Sequence, residues 1–352
     1  MLERKIGNRQ ILFVIALFLT AQFIGLLLVT PAYSPSYKYI NNISSPQGSP
    51  VSFFFWFIID VIIIILVLML VLRYYRGNLF YRLLEAYIVI FGSFFFFLIL
   101  INDIFQNISL LPLSAISLFL SLAILAYKIK FNKMRNLITM ITSIGAGIFI
   151  GASIGLGFGF LVLYLLMGFF AIYDYLAVFV LKFMIPLAKE ASNRNLAFMI
   201  GSSDLELNPH DGKSKPTKQD LKSIQNPEIR SIVEKSGTPV VSSIMLGNGD
   251  IMLPMTLAVG SYILFGNAFL SLMIICGAGT GLIFTVSLLR KYKVGLPAIP
   301  PLFAFISIFL AIAFLLSNPA NINSAEITGG AALISLLVMY VTLRKVGRNK
   351  FE

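Results

Sequence analysis

The sequence predicts an all-α fold, a polytopic bundle of transmembrane helices. Three observations predict it. Hydrophobic residues make up 58% of the 352 and charged residues only 12%, with a mean hydropathy of +0.90. A soluble domain is about one-quarter charged, so this chain has too little polar surface to face water on every side. Its apolar residues also fall into runs close to the ~20 that one helix needs to cross a bilayer. The third observation is that Lys and Arg alternate between these runs in a way that only a repeatedly crossing chain explains.

Ten spans are predicted in order: 11–30, 51–72, 83–101, 108–127, 138–154, 158–181, 240–265, 268–289, 296–316 and 327–343. Arg4, Lys5 and Arg9 precede the first. That span is too long for the h-region of a secretory leader, and Thr30-Pro31-Ala32-Tyr33 lacks an Ala-x-Ala cleavage site, so it is expected to remain in the protein. Arg73, Arg76 and Arg82 lie between the second and third spans, and Lys128, Lys130, Lys133 and Arg135 between the fourth and fifth. Nine more cations follow the sixth span, from Lys182 to Lys235. Arg290, Lys291 and Lys293 follow the eighth, and Arg344, Lys345, Arg348 and Lys350 the tenth. Of the 27 Lys and Arg, 26 thus fall on one side and only Lys38 on the other, which predicts that both termini are cytoplasmic. The net charge of +12 is then a topology signal at an anionic leaflet, and no nucleic-acid partner is expected.

Four parts are expected: an N-terminal bundle of six helices (1–181), a cytoplasmic polar loop (182–239), a C-terminal three-helix part (240–316), and an extra helix with a basic tail (317–352). The loop holds Pro186, Pro209, Pro216 and Pro227. It reads as linker apart from a short capped helix at 227–235, started by Asn226-Pro227-Glu228. As a tether or regulated loop it would gate access or dock a substrate.

Two scarce residues remove whole chemistries. The single Cys, Cys276, forbids an internal disulfide or a Cys-based metal site. The single His, His210, lies in the polar loop, so a His-Glu-x-x-His zinc site and an intramembrane Ser–His pair are both unavailable. No metal and no cofactor are expected. What remains is carboxylates. Of the fifteen, three lie well inside spans: Asp60, Asp174 and Asp250. Glu85 sits near the start of the third span, within reach of the interface, and is given no role. A charge at bilayer depth costs at least ~2.5–3.5 kcal/mol, so such groups pair, face water or act.

Asp174 is seven residues from the end of span six, ~10 Å deep at the helical rise, and Asp250 is ten residues into span seven, ~15 Å deep. Consecutive antiparallel spans can bring the two face to face near the cytoplasmic side. Two carboxyl groups in contact cannot both stay ionised; one holds a proton while the other is a base. Such a pair can deprotonate water and protonate a carbonyl oxygen. The neighbours fit this use. Tyr173 and Tyr175 flank Asp174, and Gly247-Asn248-Gly249 precedes Asp250, so that an extended substrate backbone could approach closely where the helix is weak. Leu296-Pro297-Ala298-Ile299-Pro300-Pro301 opens span nine, and three prolines in five positions are expected to break regular helix there.

Together these segments resemble the presenilin and signal peptide peptidase family of intramembrane aspartyl proteases, the Gly-x-Gly-Asp proteases. Tyr173-Asp174 matches the Tyr-Asp of the family's sixth helix, Gly247-Asn248-Gly249-Asp250 its seventh-helix motif, and Pro297-Ala298-Ile299 the Pro-Ala-Leu that opens its ninth. The resemblance covers about residues 1–316, nine family helices, and leaves the tenth span without a counterpart. Asn248 replaces a residue that is apolar in many members, and Ile299 replaces the family Leu. The resemblance implies that Asp174 and Asp250 are catalytic, and that Tyr173, Gly247, Gly249, Leu296, Pro297, Ala298 and Ile299 shape the site or contact substrate. It implies no cofactor, a lipid bilayer as the medium, and transmembrane helices of single-span proteins as substrates. The cytoplasmic N-terminus resembles presenilins and their small archaeal relatives, since signal peptide peptidases are inverted. The sequence does not give an oligomeric state.

Plainer readings stand beside these. A secondary transporter or ion channel also uses bilayer-depth carboxylates and broken helices, but its breaks should recur in both halves; here they concentrate in spans seven and nine. Prepilin peptidases share Gly-x-Gly-Asp but lack the Pro-Ala-Leu element. Asp60 reads as a hydrogen-bonding or water-facing group. The glycines 145, 147, 151, 155, 157 and 159 read as a helix-packing stripe and not a nucleotide loop, since no strand precedes them. Asn42-Ile43-Ser44 reads as a chance glycan sequon and His210 as a solvated loop residue.

Overall fold

The computed structural model of this chain describes residues 8–29, 55–56, 58–60, 62–63, 67, 78–105, 109–131, 134–180, 199–206, 240–292, 297–317, 328–337 and 340. The helices are α1 (Asn8–Val29), α2 (Asn78–Ile104), α3 (Leu110–Phe131), α4 (Arg135–Phe158) and α5 (Phe160–Tyr175). The last continues through one π-helical turn, Leu176–Val180. Strands β1 (Met199–Glu206) and β2 (Val240–Gly247) follow, then α6 (Asn248–Phe265), α7 (Ala268–Tyr292) and α8 (Ile299–Ser317). A shorter apolar helix, α9, spans Thr328–Leu337. Seven helices among the described residues are long and apolar enough to cross a membrane. The described residues of span 51–72 are helical, Asp60 included. Lys38, Asn42, His210, the helix expected at 227–235 and Leu296 lie outside the described residues.

Helix directions follow the alternation that the cations predict. Gly92 of α2 meets Thr142 of α4 while Phe96 meets Gly145, so these two odd-numbered spans run parallel. Along α4 and α6 the close pairs are Ser143 with Asn248, Gly147 with Met252, Gly151 with Thr256 and Gly155 with Gly260. Both members advance by four residues at each step, so spans five and seven are also parallel and share one face of each helix. In α7 and α8, Gly277 meets Ile306 while Gly281 meets Leu302, an antiparallel pair of neighbours.

Glycine sets these distances. A Cβ at Gly151 would lie 2.6 Å from the Thr256 carbonyl oxygen, and one at Gly145 would lie 1.9 Å from the Gly92 carbonyl oxygen. Between helices in lipid there is little hydrophobic drive, so close backbone approach supplies the attraction. Gly159 ends the stripe differently. Its φ of 86° is a left-handed conformation that suits glycine, and it breaks α4 from α5 while its N–H bonds to the Gly155 carbonyl at 2.9 Å. The largest apolar cluster joins α1, α4, α5, α6, α7 and α8, with Phe18, Ile148, Met167, Met255, Ile275 and Leu302 essentially without solvent contact.

Two expectations change. Span 240–265 is not one helix. Val240–Gly247 is a strand paired antiparallel with Met199–Glu206, running from Met199 opposite Gly247 to Glu206 opposite Val240. β-branched Val240, Val241 and Ile244, with Ser242 and Ser243, favour extended chain over helix. The polar loop, expected to be linker, provides the partner strand. The strand rise of ~3.3 Å also removes the helical measure of depth applied to Asp250 from residue 240.

The second change concerns charges. Lys128 and Lys130 lie within α3 and Arg135 starts α4, although all three were expected in a connecting loop. Lys128 donates to Glu85 of α2, with both side chains 7% exposed. A lone charge there would be costly, so each residue makes the other tolerable. Glu85→Ala is expected to cost about 3–5 kcal/mol by stranding Lys128. Changing both residues to Met should recover most of it, as read from thermal unfolding in detergent.

Candidate active site

Asp174 stands one residue before the end of α5, where the backbone passes into the π-helical turn. The Leu176 N–H reaches both the Ile172 and Tyr173 carbonyls at that change of pitch. π turns recur at functional sites. Asp174 is buried, and Tyr173 beside it is half-buried.

Its carboxylate is held from another helix. The Ile299 N–H donates to Asp174 Oδ2 at 3.1 Å, and the Ala298 N–H is a second backbone donor. The sequence explains this. An α-helix leaves its first four N–H groups without intrahelical partners. At the start of α8 those positions are Ala298, Ile299, Pro300 and Pro301, and the prolines have no N–H to satisfy. The two donors that remain both go to Asp174. The Leu302 N–H then makes the first intrahelical bond, to the Ala298 carbonyl at 3.3 Å. Pro300 and Pro301 therefore do not break the helix, as three closely spaced prolines suggested; they lie in its first turn, where Pro is accommodated. Pro297 is buried just outside.

Asp250 lies in the first turn of α6. The Gly247 N–H donates to Asp250 Oδ2 at 3.0 Å, a cap made by the residue that ends β2. α5 and α6 pack antiparallel, with Leu163 against Gly260 at one end. At the other end the charge of Asp174 acts on Asp250. The strand, the start of α6, the end of α5 and the start of α8 thus meet around two carboxyl groups. Asp60 is exposed. Among the described residues, no three His, Cys, Asp or Glu side chains converge as a ligand set for a metal ion.

The glycines of the motif differ in what surrounds them. A Cβ at Gly247 would stand 3.2 Å from Asp250 Oδ2, tighter than most real contacts, so this glycine leaves room for the carboxylate itself. A Cβ at Gly249 would meet nothing within 4 Å. Among the described residues the space at Gly249, next to Asp250 in the chain, is open. Gly249→Ala should leave thermal stability at or slightly above wild type, because Ala favours helix by up to about 1 kcal/mol. It should raise KM for a transmembrane substrate several-fold.

Four contributions were not visible in the sequence: two backbone amides and two side chains. The Ala298 and Ile299 N–H groups carry no side-chain signal, although a Pro-Pro pair following two non-prolines marks where a helix has few donors left. Ser143 and Gln22 contact the first turn of α6 from α4 and α1. A polar residue inside an apolar span is a signal, but Ser and Thr are common enough in such helices that it did not single these out.

A family model described as "Signal-peptide peptidase, presenilin aspartyl protease" matches residues 15–319. That stretch includes Asp174, Asp250 and the start of α8, and ends before α9. No curated protein matches the chain.

Proposed function

The chain belongs to the signal-peptide peptidase and presenilin family of aspartyl proteases, and from that premise we propose that Asp174 and Asp250 together hydrolyse peptide bonds inside transmembrane helices. The family implies an intramembrane aspartyl protease and membrane-embedded protein substrates. The two-carboxyl mechanism is our reading. The observation that carries it is the meeting of Asp174 and Asp250 from antiparallel helices, each held by backbone N–H donors.

The ionised carboxyl takes a proton from water as the water oxygen bonds to the scissile carbonyl carbon. The protonated carboxyl gives its proton to the carbonyl oxygen. The tetrahedral diol then collapses: the carboxyl that took the water proton gives it to the nitrogen as the C–N bond breaks, and the other carboxylate takes a proton from a diol hydroxyl, so the pair again holds one proton. Substrate helix must first open, because its scissile carbonyl is otherwise hydrogen-bonded within the helix. The extended run Val240–Gly247 leads straight into the turn that carries Asp250, and among the described residues each strand of the two-stranded sheet has one edge without a strand partner. An opened substrate segment could pair there by backbone hydrogen bonds.

The cation pattern supports a cytoplasmic N-terminus, and the resemblance to presenilins in that orientation implies single-span substrates with a cytoplasmic C-terminus. Purified protein incubated with a single-span substrate should release two fragments cut within the span, identified by mass spectrometry. The same preparation carrying Asp250→Ala should release none. Intact substrate with the wild-type protein, or equal cleavage by both proteins, would remove the proposal.

A further inference from the structure

We infer that Ser143 of α4 and Gln22 of α1 are positioning residues for Asp250, acting as a polar brace on the first turn of α6. The inference rests on the proposed role of Asp250 and extends it to two helices that carry none of the family motifs.

Three features make that first turn weak. Gly247 caps it and Gly249 lies in it, so the backbone there has more conformations available than any other sequence would give. Pro254 lies four residues after Asp250, so the Asp250 carbonyl loses the N–H that would have closed the helical bond. An Asp that must meet a partner within a fraction of an ångström is thus carried on a turn with little stiffness of its own.

The missing stiffness comes from outside. Gln22 Nε2 donates to the Ile251 carbonyl at 2.7 Å. Ser143 Oγ bonds to Asn248 Oδ1 and also reaches the Thr139 carbonyl of its own helix at 2.7 Å. The two bonds fall on residues 248 and 251, on either side of Asp250 in the chain. Gln22 is 1% exposed and Ser143 is without solvent contact. Polar groups so deep in an apolar bundle are costly unless they find partners. Gln22 Nε2 and Ser143 Oγ each find an interhelical partner on this one turn, while Gln22 Oε1 has none among the described residues.

Close packing makes the reach possible. Ser143 occupies the first position of the seam that continues through Gly147, Gly151 and Gly155, so α4 lies near enough for a side chain as short as Ser to touch α6. On the other side, a Cβ at Gly25 would be 2.5 Å from Met255 Sδ, so the Met255 side chain of α6 packs onto α1 one turn beyond Gln22. Asn248 then has a reason to be polar at the start of an apolar helix: it is the receiving half of the brace.

The test compares Ser143→Ala, Asn248→Leu, their double variant and Gln22→Leu, measuring kcat and KM on a single-span substrate together with thermal unfolding. Each single change should lower kcat by about 10- to 100-fold, since a displacement near 1 Å at the reacting group has effects of that size, with KM within about twofold. The Ser143→Ala/Asn248→Leu double variant should lose no more than the worse single change, because both remove one bond. Ser271→Ala is the control. It breaks an interhelical polar contact at the far end of the same helix, where Ser271 meets Ser261 at 3.0 Å and the Ala258 carbonyl at 2.8 Å. It should lower the unfolding temperature and leave kcat as it was. The inference is overturned if Ser143→Ala and Asn248→Leu retain wild-type kcat, if their effects multiply in the double variant, or if Ser271→Ala lowers kcat as much. Should Gln22→Leu not fold, the other three variants still decide. Wild-type protein that cleaves nothing would instead refute the proteolytic reading itself, a result visible before any variant is made.

Discussion

Asp250→Asn should lower the rate of cleavage by at least about 10²–10⁴-fold, the range that a positioned general acid or base supplies. Asp174→Asn should do the same. The substitution isolates proton transfer from structure. An Asn at 250 keeps an oxygen to accept the Gly247 N–H, whose present bond is 3.0 Å, so the cap on α6 survives. An Asn at 174 likewise keeps an acceptor for the Ile299 N–H at 3.1 Å. What each loses is the ability to exchange a proton. Unfolding temperature should therefore change little while kcat collapses, and substrate should still bind. The double variant should be no slower than either single one, because residues that act as a unit do not contribute independently. Cleavage above about one-tenth of the wild-type rate in either variant would mean that the pair does not carry the chemistry.

How far the sequence revealed this site depends on which atoms do the work. Side-chain chemistry was legible: a carboxyl group at bilayer depth is rare enough that Asp174 and Asp250 stood out, and the lack of usable His and Cys removed their competitors. Helix directions were legible too, because Lys and Arg cluster between every second pair of apolar runs. Backbone chemistry was not. The donors that hold Asp174 are amides of Ala298 and Ile299, which nearly any residue could present; what distinguishes them is that Pro300 and Pro301 have none. The strand at Val240–Gly247 was hidden by its own hydrophobicity, which at that length suits a span as well as a strand. Its β-branched content was the available signal, and the pairing segment lay about forty residues upstream in a loop whose charge suggested linker. Glu85 and Lys128 were misjudged for a related reason: each looks interfacial alone, and only the antiparallel contact of α2 and α3 reveals that they neutralise one another.

Gly151→Ala is the substitution expected to damage the scaffold beneath the site. An added Cβ would lie 2.6 Å from the Thr256 carbonyl oxygen and 3.1 Å from Thr256 Cα. Ordinary van der Waals separations are near 3.5–4.0 Å, and the obstacle is backbone, which cannot rotate aside. α4 and α6 would have to part by about 1 Å. Overpacking of this kind costs about 1–3 kcal/mol. Two further effects pull in opposite directions. Ala is intrinsically about 1 kcal/mol better than Gly in a helix, which offsets part of the loss. Against that, helices parted in lipid have no hydrophobic penalty to draw them back, so nothing replaces the close packing along Gly147, Gly151 and Gly155 once it opens. The clash should prevail, and unfolding in detergent should shift to lower temperature. Gly330→Ala in α9 separates the two contributions, because a Cβ there meets nothing within 4 Å and only the propensity gain remains. Cleavage should fall as well, since the same parting stretches the Ser143–Asn248 bond two turns away and frees the turn that holds Asp250. A Gly151→Ala protein as stable as wild type would show that the seam has slack, and the close approach of α4 would then no longer explain how Asp250 is kept in place.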